Sequence, residues 1–212
     1  MSLPTLASIQ NSPSGPDSPL AIAFNTLFEH SPILVHKLEP QLHAILTSPS
    51  SGFSESAIEF NIELTTYIQL IDLTLFKIST WDPTSQAEFI SGHPRIGEKK
   101  NLSKLSASEQ GGLDQPTPPE LLARLAHLNK LYEVKYPGLR YITFVNGRSR
   151  EMIAREMEDV LGVSHSPDGD TLGKESVKIV ERGSTAWLKE LERAVGDVGK
   201  IAKSRLSALG IE

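Results

Sequence analysis

His93 is the residue whose neighbours best suit chemistry. It lies in the stretch Gly-His-Pro-Arg-Ile-Gly over residues 92–97. A proline disfavours helical backbone at the residue before it, so we expect a loop that presents the imidazole. Imidazole titrates near neutral pH and can donate or accept a proton. A His-Pro pair in a loop is also common as a purely structural feature, so His93 is at this point only a candidate acid or base.

Glu109 is a second candidate, because it closes a Ser-x-x-Glu motif that begins at Ser106. One interpretation is a capping box, in which the Ser106 and Glu109 side chains satisfy free N–H groups at a helix start. The other is that Ser106, Glu109 and Gln110 place a hydroxyl, a carboxylate and an amide at a helix N-terminus, where an anion can bind. The motif by itself favours the cap.

Several classes of site have no support in the sequence. There is no cysteine, which excludes disulfides, thiolate nucleophiles and cysteine zinc sites. The other histidines do not follow a metal-ligand spacing, and neither a phosphate loop nor a Gly-x-Ser-x-Gly motif occurs. The sequence therefore shows no metal site and no nucleotide-binding site. The other histidines are His30, His36, His43, His127 and His165.

The composition of the chain argues against nucleic acid and membrane as binding partners. The 212 residues carry a net charge of −5, without the basic surplus typical of nucleic-acid binders. No stretch of 18 consecutive apolar residues occurs, so we expect no membrane span. We find no recognisable targeting signal at either terminus, and expect an intracellular protein, cytoplasmic or peroxisomal.

Apolar residues recur at spacings of three and four over much of the chain, the pattern of helices with one buried face. Long helices are predicted over about 55–78, 118–136 and 176–208, and shorter ones elsewhere. The β-prone run 141–145 is only five residues long and has no visible partner strand, so we expect a short extended segment.

The pattern predicts an all-α protein, a single-domain helical bundle of about seven or eight helices. The domain should cover residues 18–208 and carry a loop insertion at about 162–175, which is rich in Gly, Ser and Asp. A flexible N-terminal segment, residues 1–17, should precede it.

Several segments, in order, resemble the 2-oxo-4-hydroxy-4-carboxy-5-ureidoimidazoline (OHCU) decarboxylase family. The similarity spans roughly residues 20–208 and departs from many members at 136–141, where an aromatic Phe-Gly-Phe-Pro-Phe type stretch is replaced. The matching segments are Glu-His-Ser-Pro at 29–32, His-Pro-Arg-Ile-Gly at 93–97, Ser-x-x-Glu-Gln at 106–110, Leu-Asn-x-x-Tyr-x-x-Lys-Tyr at 128–136, Phe-Val-Asn-Gly-Arg at 144–148 and Lys-Ile-Ala-Lys-Ser-Arg-Leu at 200–206.

The resemblance implies an all-α fold that usually forms a homodimer. It also implies a lyase of urate and purine degradation that needs no cofactor. The small-molecule substrate is a ureidoimidazoline that loses CO₂ and yields (S)-allantoin. His93 would act as the main acid or base, and Glu109 would assist it by orienting the substrate or by protonating one face.

The resemblance also implies a set of binding residues. Ser106 and Gln110 would contact polar atoms of the ring or of the ureido group. Arg205 would pair with a substrate anion, which suits its forked donors. Backbone groups near Thr143 would contact the ring, and Pro94 would form part of the pocket wall.

Two other functions are compatible with a helical protein. The first is an inactive homologue that keeps the fold as a binding or interaction module. The combination of His93, Glu109 and Arg205 argues against it, because a scaffold without activity has no need of this trio. The second is a helix-turn-helix DNA binder, which the acidic charge disfavours.

Overall fold

The computed structural model describes residues 2–47, 64–99, 102–109, 117–163 and 177–211. Within these ranges the chain forms nine α-helices and one π-helical segment, with no β-strand, which confirms the predicted all-α class. None of these helices is long and apolar enough to cross a bilayer. The elements are α1 (Leu6–Asn11), α2 (Pro19–Phe28), the π-helical segment (Leu34–Leu38), α3 (Glu39–Thr47), α4 (Tyr67–Ser79), α5 (Pro83–Ser91), α6 (Lys104–Glu109), α7 (Pro119–Lys135), α8 (Arg150–Leu161) and α9 (Thr185–Ala208).

The chain divides into two compact units. The first unit consists of residues 1–92 and 199–212, and the second of residues 93–198. Helix α9 is continuous through this division, so its beginning belongs to the second unit and its end to the first. The single domain over 18–208 stays a prediction.

The first unit is built on the apolar face of α2. Phe24 and Phe28 are fully buried, with ring centroids 6.2 Å apart, and Phe28 lies 5.8 Å from Phe89 of α5 in a tilted arrangement. Tilted aromatic pairs at this separation add to the stability that burial provides. Around them, α2 packs on α1, α3 and the π-helical segment.

The N-terminal segment contains structure that the sequence pattern did not indicate. Helix α1 forms within it and buries Ile9. Glu39 of α3 is fully buried and accepts hydrogen bonds from the hydroxyls of Ser14 (2.6 Å) and Ser18 (2.7 Å). A buried carboxylate requires such donors, so Glu39 organises the turn before α2. Whether residues 1–17 are flexible stays a prediction.

The second unit contains the contact between α7 and α8. Helix α7 turns Leu125, Leu128 and Tyr132 inward, and α8 buries Ile153 and Met157. Residues 141–145 belong to neither a helix nor a strand, in agreement with the predicted short extended segment.

Two long helices begin later than predicted. Helix α4 starts at Tyr67 because Thr66 and Gln69 form a capping box, and residues 64–66 are not helical. Helix α9 starts at Thr185 rather than at 176. Gly183 has a left-handed φ of 82°, which interrupts a helix, and the Ser184 hydroxyl accepts the N–H of Trp187 at 3.3 Å. The other predicted parts, 55–63 and 176, lie outside the described residues.

The sequence Thr-Pro-Pro-Glu at 117–120 predicts a capping box between Thr117 and Glu120, but the start of α7 differs from it. The hydroxyl of Thr117 instead accepts a hydrogen bond from Arg150, and α7 begins at Pro119 without a side-chain cap. A proline at the first helical position costs no hydrogen bond, because that N–H has no helical partner. Of the predicted insertion at 162–175, residues 164–175 lie outside the described residues.

Asp82 precedes Pro83, a sequence that predicts a helix start with Asp82 as its N-cap, and Asp82 does cap α5. Its carboxylate accepts the N–H groups of Thr84 and Ser85, each at 3.0 Å, and the Ser85 hydroxyl at 2.7 Å. The hydrogen bonds from Ser85 and the nearby Lys37 lower the pKa of Asp82 to about 2.

This pKa predicts a pH dependence of stability. The folded pKa lies below the value of about 3.9 for unfolded chains, so the contribution is complete above about pH 5 and is lost as the pH falls through about 2. We expect Asp82→Ala to lower the unfolding free energy at pH 6 and to have a smaller effect at pH 2. Urea unfolding at both pH values measures this, and an equal effect at both would contradict it.

Gly92, at the end of α5, occupies a position without room for a side chain. A Cβ atom there would lie 2.9 Å from the Cβ of Ser31 and 3.1 Å from its hydroxyl oxygen. Ser31 is buried and its Cβ cannot swing aside, since it is attached directly to the backbone. The early Glu-His-Ser-Pro segment therefore packs on the residue that precedes His93.

We expect Gly92→Ala to reduce stability by about 1–3 kcal/mol, the usual cost of overpacking a filled site. Gly15→Ala is the matched control, because a Cβ on Gly15 would meet no atom within 4 Å. Thermal or urea unfolding of the two variants gives the comparison. Equal stabilities would show that the contact with Ser31 relaxes without cost.

Candidate active site

His93 lies at the start of a loop that α7 holds in place. The residue is 3% exposed. Asn129, on the buried face of α7, donates its side-chain amide to the carbonyl of Ile96 (3.0 Å) and to that of Leu125 (2.7 Å). Because the Ile96 carbonyl lies outside any helix and Ile96 is buried, this bond satisfies an oxygen that water cannot reach easily.

Gly97 brings the same loop close to α7. Its φ is +87°, and a Cβ would lie 3.1 Å from a methyl carbon of Leu125. Both the left-handed backbone and the close approach favour glycine here. The glycine of the predicted His-Pro-Arg-Ile-Gly loop thus has a structural reason.

Arg95 connects the loop to α7 through an ion pair. Its Nε donates to Glu133 at 2.6 Å and its Nη1 to Glu98 at 3.2 Å. The hydrogen bond to Glu133 is the main cause that raises the pKa of Arg95, so the guanidinium stays charged. These groups are partly exposed, and the ion pairs therefore position the loop more than they stabilise the fold.

The main chain of His93 itself is held by Arg140, whose guanidinium donates to the His93 carbonyl. Burial, followed by the repulsion of Arg95, lowers the pKa of Arg140. With Asn129 at one end of the loop and Arg140 at the other, the backbone that carries the imidazole is fixed. A buried imidazole on a fixed backbone is well suited to a proton transfer that requires precise alignment.

Ser106 and Glu109 lie on α6, but not as a capping box. The hydroxyl of Ser103 accepts the N–H of Ser106 at 3.0 Å, so Ser103 takes the capping role and Ser106 lies inside the helix. Glu109 is the last residue of α6 and is half-buried. The predicted capping box between Ser106 and Glu109 is therefore wrong. Gln110 lies outside the described residues.

The side chain of Thr143 forms hydrogen bonds with other residues of the protein. The hydroxyl donates to Glu156 (3.1 Å) and accepts from Arg148 (3.0 Å), and the residue is 4% exposed. The same Glu156 carboxylate accepts the hydroxyl of Tyr141 at 2.7 Å. The hydroxyl of Thr143 is thus engaged within the protein, and the predicted main-chain role of Thr143 in binding is not tested by these contacts.

Arg205 is 1% exposed and belongs to the first unit, whereas His93, Pro94, Ser106, Glu109 and Thr143 belong to the second. Its guanidinium donates to the carbonyls of Thr26 (3.2 Å) and Leu27 (3.3 Å) at the C-terminus of α2 and to Glu29 (2.7 Å).

Cations are favourable at the negative end of a helix dipole, so Arg205 has a clear structural role there. Its partner Glu29 has a positive φ of 64°, an unusual conformation for a residue other than glycine. The predicted role of Arg205 as partner of a substrate anion is not tested by these contacts.

A cleft of about 340 Å³ lies between the loop that follows His93 and helix α7. Its walls combine apolar side chains with two cations and two carboxylates. His93, Ser106 and Glu109 do not line it. The lining residues are Arg95, Ile96, Gly97, Glu98, Leu122, Ala126, Asn129, Lys130 and Glu133.

Metal ligands do not gather anywhere in the part of the chain that the structure describes: no group of three or more His, Asp or Glu side chains could hold an ion there.

The sequence pattern also left two important residues unnoticed. Asn129 interrupts an apolar stripe of α7 between Leu125 and Tyr132, and a polar residue on a buried face is a recognisable signal of a specific hydrogen bond. Arg140 gave no such signal, because it follows a turn and its contact with His93 spans 47 residues.

Comparison with known proteins gives a family match. The model of the family described as OHCU decarboxylase matches residues 15–182. This range includes His93, Ser106, Glu109 and Thr143, whereas Arg205 lies beyond it. Comparisons with curated proteins and with solved structures gave no match.

Asn129 offers a direct test of the loop anchor. We expect Asn129→Ala to reduce stability by about 1–3 kcal/mol, since it leaves the buried Ile96 carbonyl without its donor. Lys130→Ala, on the exposed side of the same helix, should stay within about 0.5 kcal/mol. Urea unfolding measures both, and similar values for the two variants would argue against the anchor.

Proposed function

Because the chain belongs to the OHCU decarboxylase family, we propose that it decarboxylates 2-oxo-4-hydroxy-4-carboxy-5-ureidoimidazoline to (S)-allantoin. Membership implies a carboxy-lyase activity on a small molecule. The observation that carries the assignment of residues is the buried His93 on an immobilised loop. Ser106, Glu109 and Thr143 belong to the same compact unit.

His93 is the proposed acid or base. In the reaction the bond between the ring carbon and the carboxylate breaks, CO₂ leaves, and the electron pair of that bond stays on the ring. A proton must then be delivered to the ring. Imidazole serves this transfer because it exchanges protons near neutral pH.

Glu109 is the proposed partner of His93, either by orienting the substrate or by protonating one face of the ring. Protonation from one side sets the hand of the product. Ser106 and Gln110 are the proposed contacts of ring or ureido atoms, and Pro94 a part of the pocket wall. The role of Arg205 as an anion partner rests on the resemblance alone.

The binding of the ring is assigned to the main chain near Thr143. Since the hydroxyl of Thr143 is engaged with Glu156 and Arg148, its amide remains for the substrate. Donors placed where negative charge develops lower the barrier to decarboxylation. Homodimer formation, independence from cofactors and a cytoplasmic or peroxisomal location stay predictions.

The proposed function can be tested with a coupled assay. Urate oxidase and hydroxyisourate hydrolase generate the unstable substrate, and circular dichroism follows (S)-allantoin. We expect the protein to accelerate its formation, and His93→Ala to reduce kcat by about 10²–10⁴-fold, the usual contribution of a positioned acid or base.

His30→Ala is the matched control, because His30 is exposed and we propose no role for it. It should retain the rate of the wild-type protein. A wild-type protein that gives no acceleration over spontaneous decay would favour the inactive homologue, and a fully active His93→Ala variant would assign the proton transfer to another residue.

A further inference from the structure

Within the part of the chain that the structure describes, no strand lies beside the segment around Thr143, and arginine side chains bind its main chain instead. Arg193 of α9 donates its Nη1 to the carbonyl of Ile142 at 2.8 Å. Arg148 donates to the carbonyls of Phe144 and Val145. In a sheet, a neighbouring strand would donate hydrogen bonds to these main-chain oxygens. Here guanidinium groups donate to them instead.

Arg193 is itself held firmly. Its Nη2 and Nε donate to the two carboxylate oxygens of Glu190, at 2.6 and 3.0 Å, and its Nη1 also donates to Asp197 at 3.0 Å. The guanidinium lies 5.5 Å from the centre of the Tyr141 ring. Burial is the largest single effect and opposes its charge, but the hydrogen bonds and charge of Glu190, together with Tyr132 and Tyr141, outweigh burial and raise the pKa of Arg193. A planar group bound at so many points cannot rotate freely.

The bond from Arg193 sets the direction of one N–H group. The carbonyl of Ile142 and the N–H of Thr143 belong to the same peptide unit, which is trans and planar, so they point in opposite directions. Arg193 therefore turns the Thr143 N–H away from α9. Among the residues that the structure describes, nothing accepts this N–H, although Thr143 is 4% exposed. Buried N–H groups without an acceptor are rare in proteins.

We propose that Arg193 is a positioning residue, which aims the Thr143 N–H at an acceptor oxygen of the substrate ring. This inference rests on the proposed function, because it assumes that the ring binds at Thr143. Arg193 does not touch the substrate; it acts through the Ile142 peptide. An N–H that is free to rotate would bind the ring in several orientations, which lowers both the rate and the preference for one hand of the product.

The test compares two variants of the same buried network. Arg193→Met removes the donors and keeps much of the volume, while Tyr132→Phe removes only the hydroxyl that donates to Glu190 at 2.6 Å. We expect Arg193→Met to raise KM and to lower kcat/KM by up to about 100-fold. It should also lower the enantiomeric excess of the allantoin formed. Tyr132→Phe should reduce the melting temperature and leave kcat/KM and the enantiomeric excess unchanged.

A second readout does not require catalysis. Hydantoin, a neutral ring with carbonyl acceptors, is added to the ¹⁵N-labelled protein, and the amide resonance of Thr143 is followed. It should shift in the wild-type protein and in Tyr132→Phe, and stay in place in Arg193→Met. Arg193→Lys keeps a donor group and should recover part of the shift and part of the enantiomeric excess. It replaces Arg193→Met in both measurements if the Met variant does not fold.

The outcomes separate the two proposals. An inactive wild-type protein whose Thr143 resonance still shifts only with Arg193 intact would contradict the proposed function and support the positioning role. An active wild-type protein with unchanged enantiomeric excess and Thr143 shift in the Arg193 variants would overturn the positioning role alone. A wild-type Thr143 resonance that does not respond to hydantoin would overturn it as well.

Discussion

Main-chain carbonyls outside the helices are bound by side-chain donors throughout the second unit. Asn129 binds Ile96, Arg140 binds His93, Arg193 binds Ile142, and the indole of Trp187 binds Pro137 at 3.1 Å. A protein built from helices has no sheet ladder to satisfy such oxygens, and leaving them unpaired in the interior is costly. Two of the segments that carry candidate site residues, 93–98 and 141–145, therefore take their shape from a few amides and guanidinium groups.

Those donors need partners of their own. Arg193, which binds the carbonyl of Ile142, is also paired with Glu190 and Asp197. Arg95 is paired with Glu98 of the loop and with Glu133 of α7. Arginine is suited to this task because its planar fork serves several acceptors at once and keeps its charge when partly buried. The rigidity of the loops thus depends on carboxylates located on helices, where regular backbone holds them in register.

The helical class and several helix starts could be predicted because they depend on local patterns, such as the cap at Asp82. Local patterns failed where two serines competed, since Ser103 rather than Ser106 caps α6. The loop around His93 could be identified from its motif, whereas its anchors could not. The contact of Arg193 with Ile142 joins residues 51 positions apart, and no local rule indicates which carbonyl a distant arginine will bind.

The contact between Arg205 and Glu29 has a consequence for synthesis of the chain. It joins residues 176 positions apart, and Glu29 becomes buried within the first unit. At ~5–20 residues per second, a ribosome needs roughly 10–35 s to add Arg205 after Glu29. During that interval the first unit lacks Arg205 and the last part of α9. The first unit, although most of it precedes the second unit in the chain, is therefore completed only after the second unit has been made.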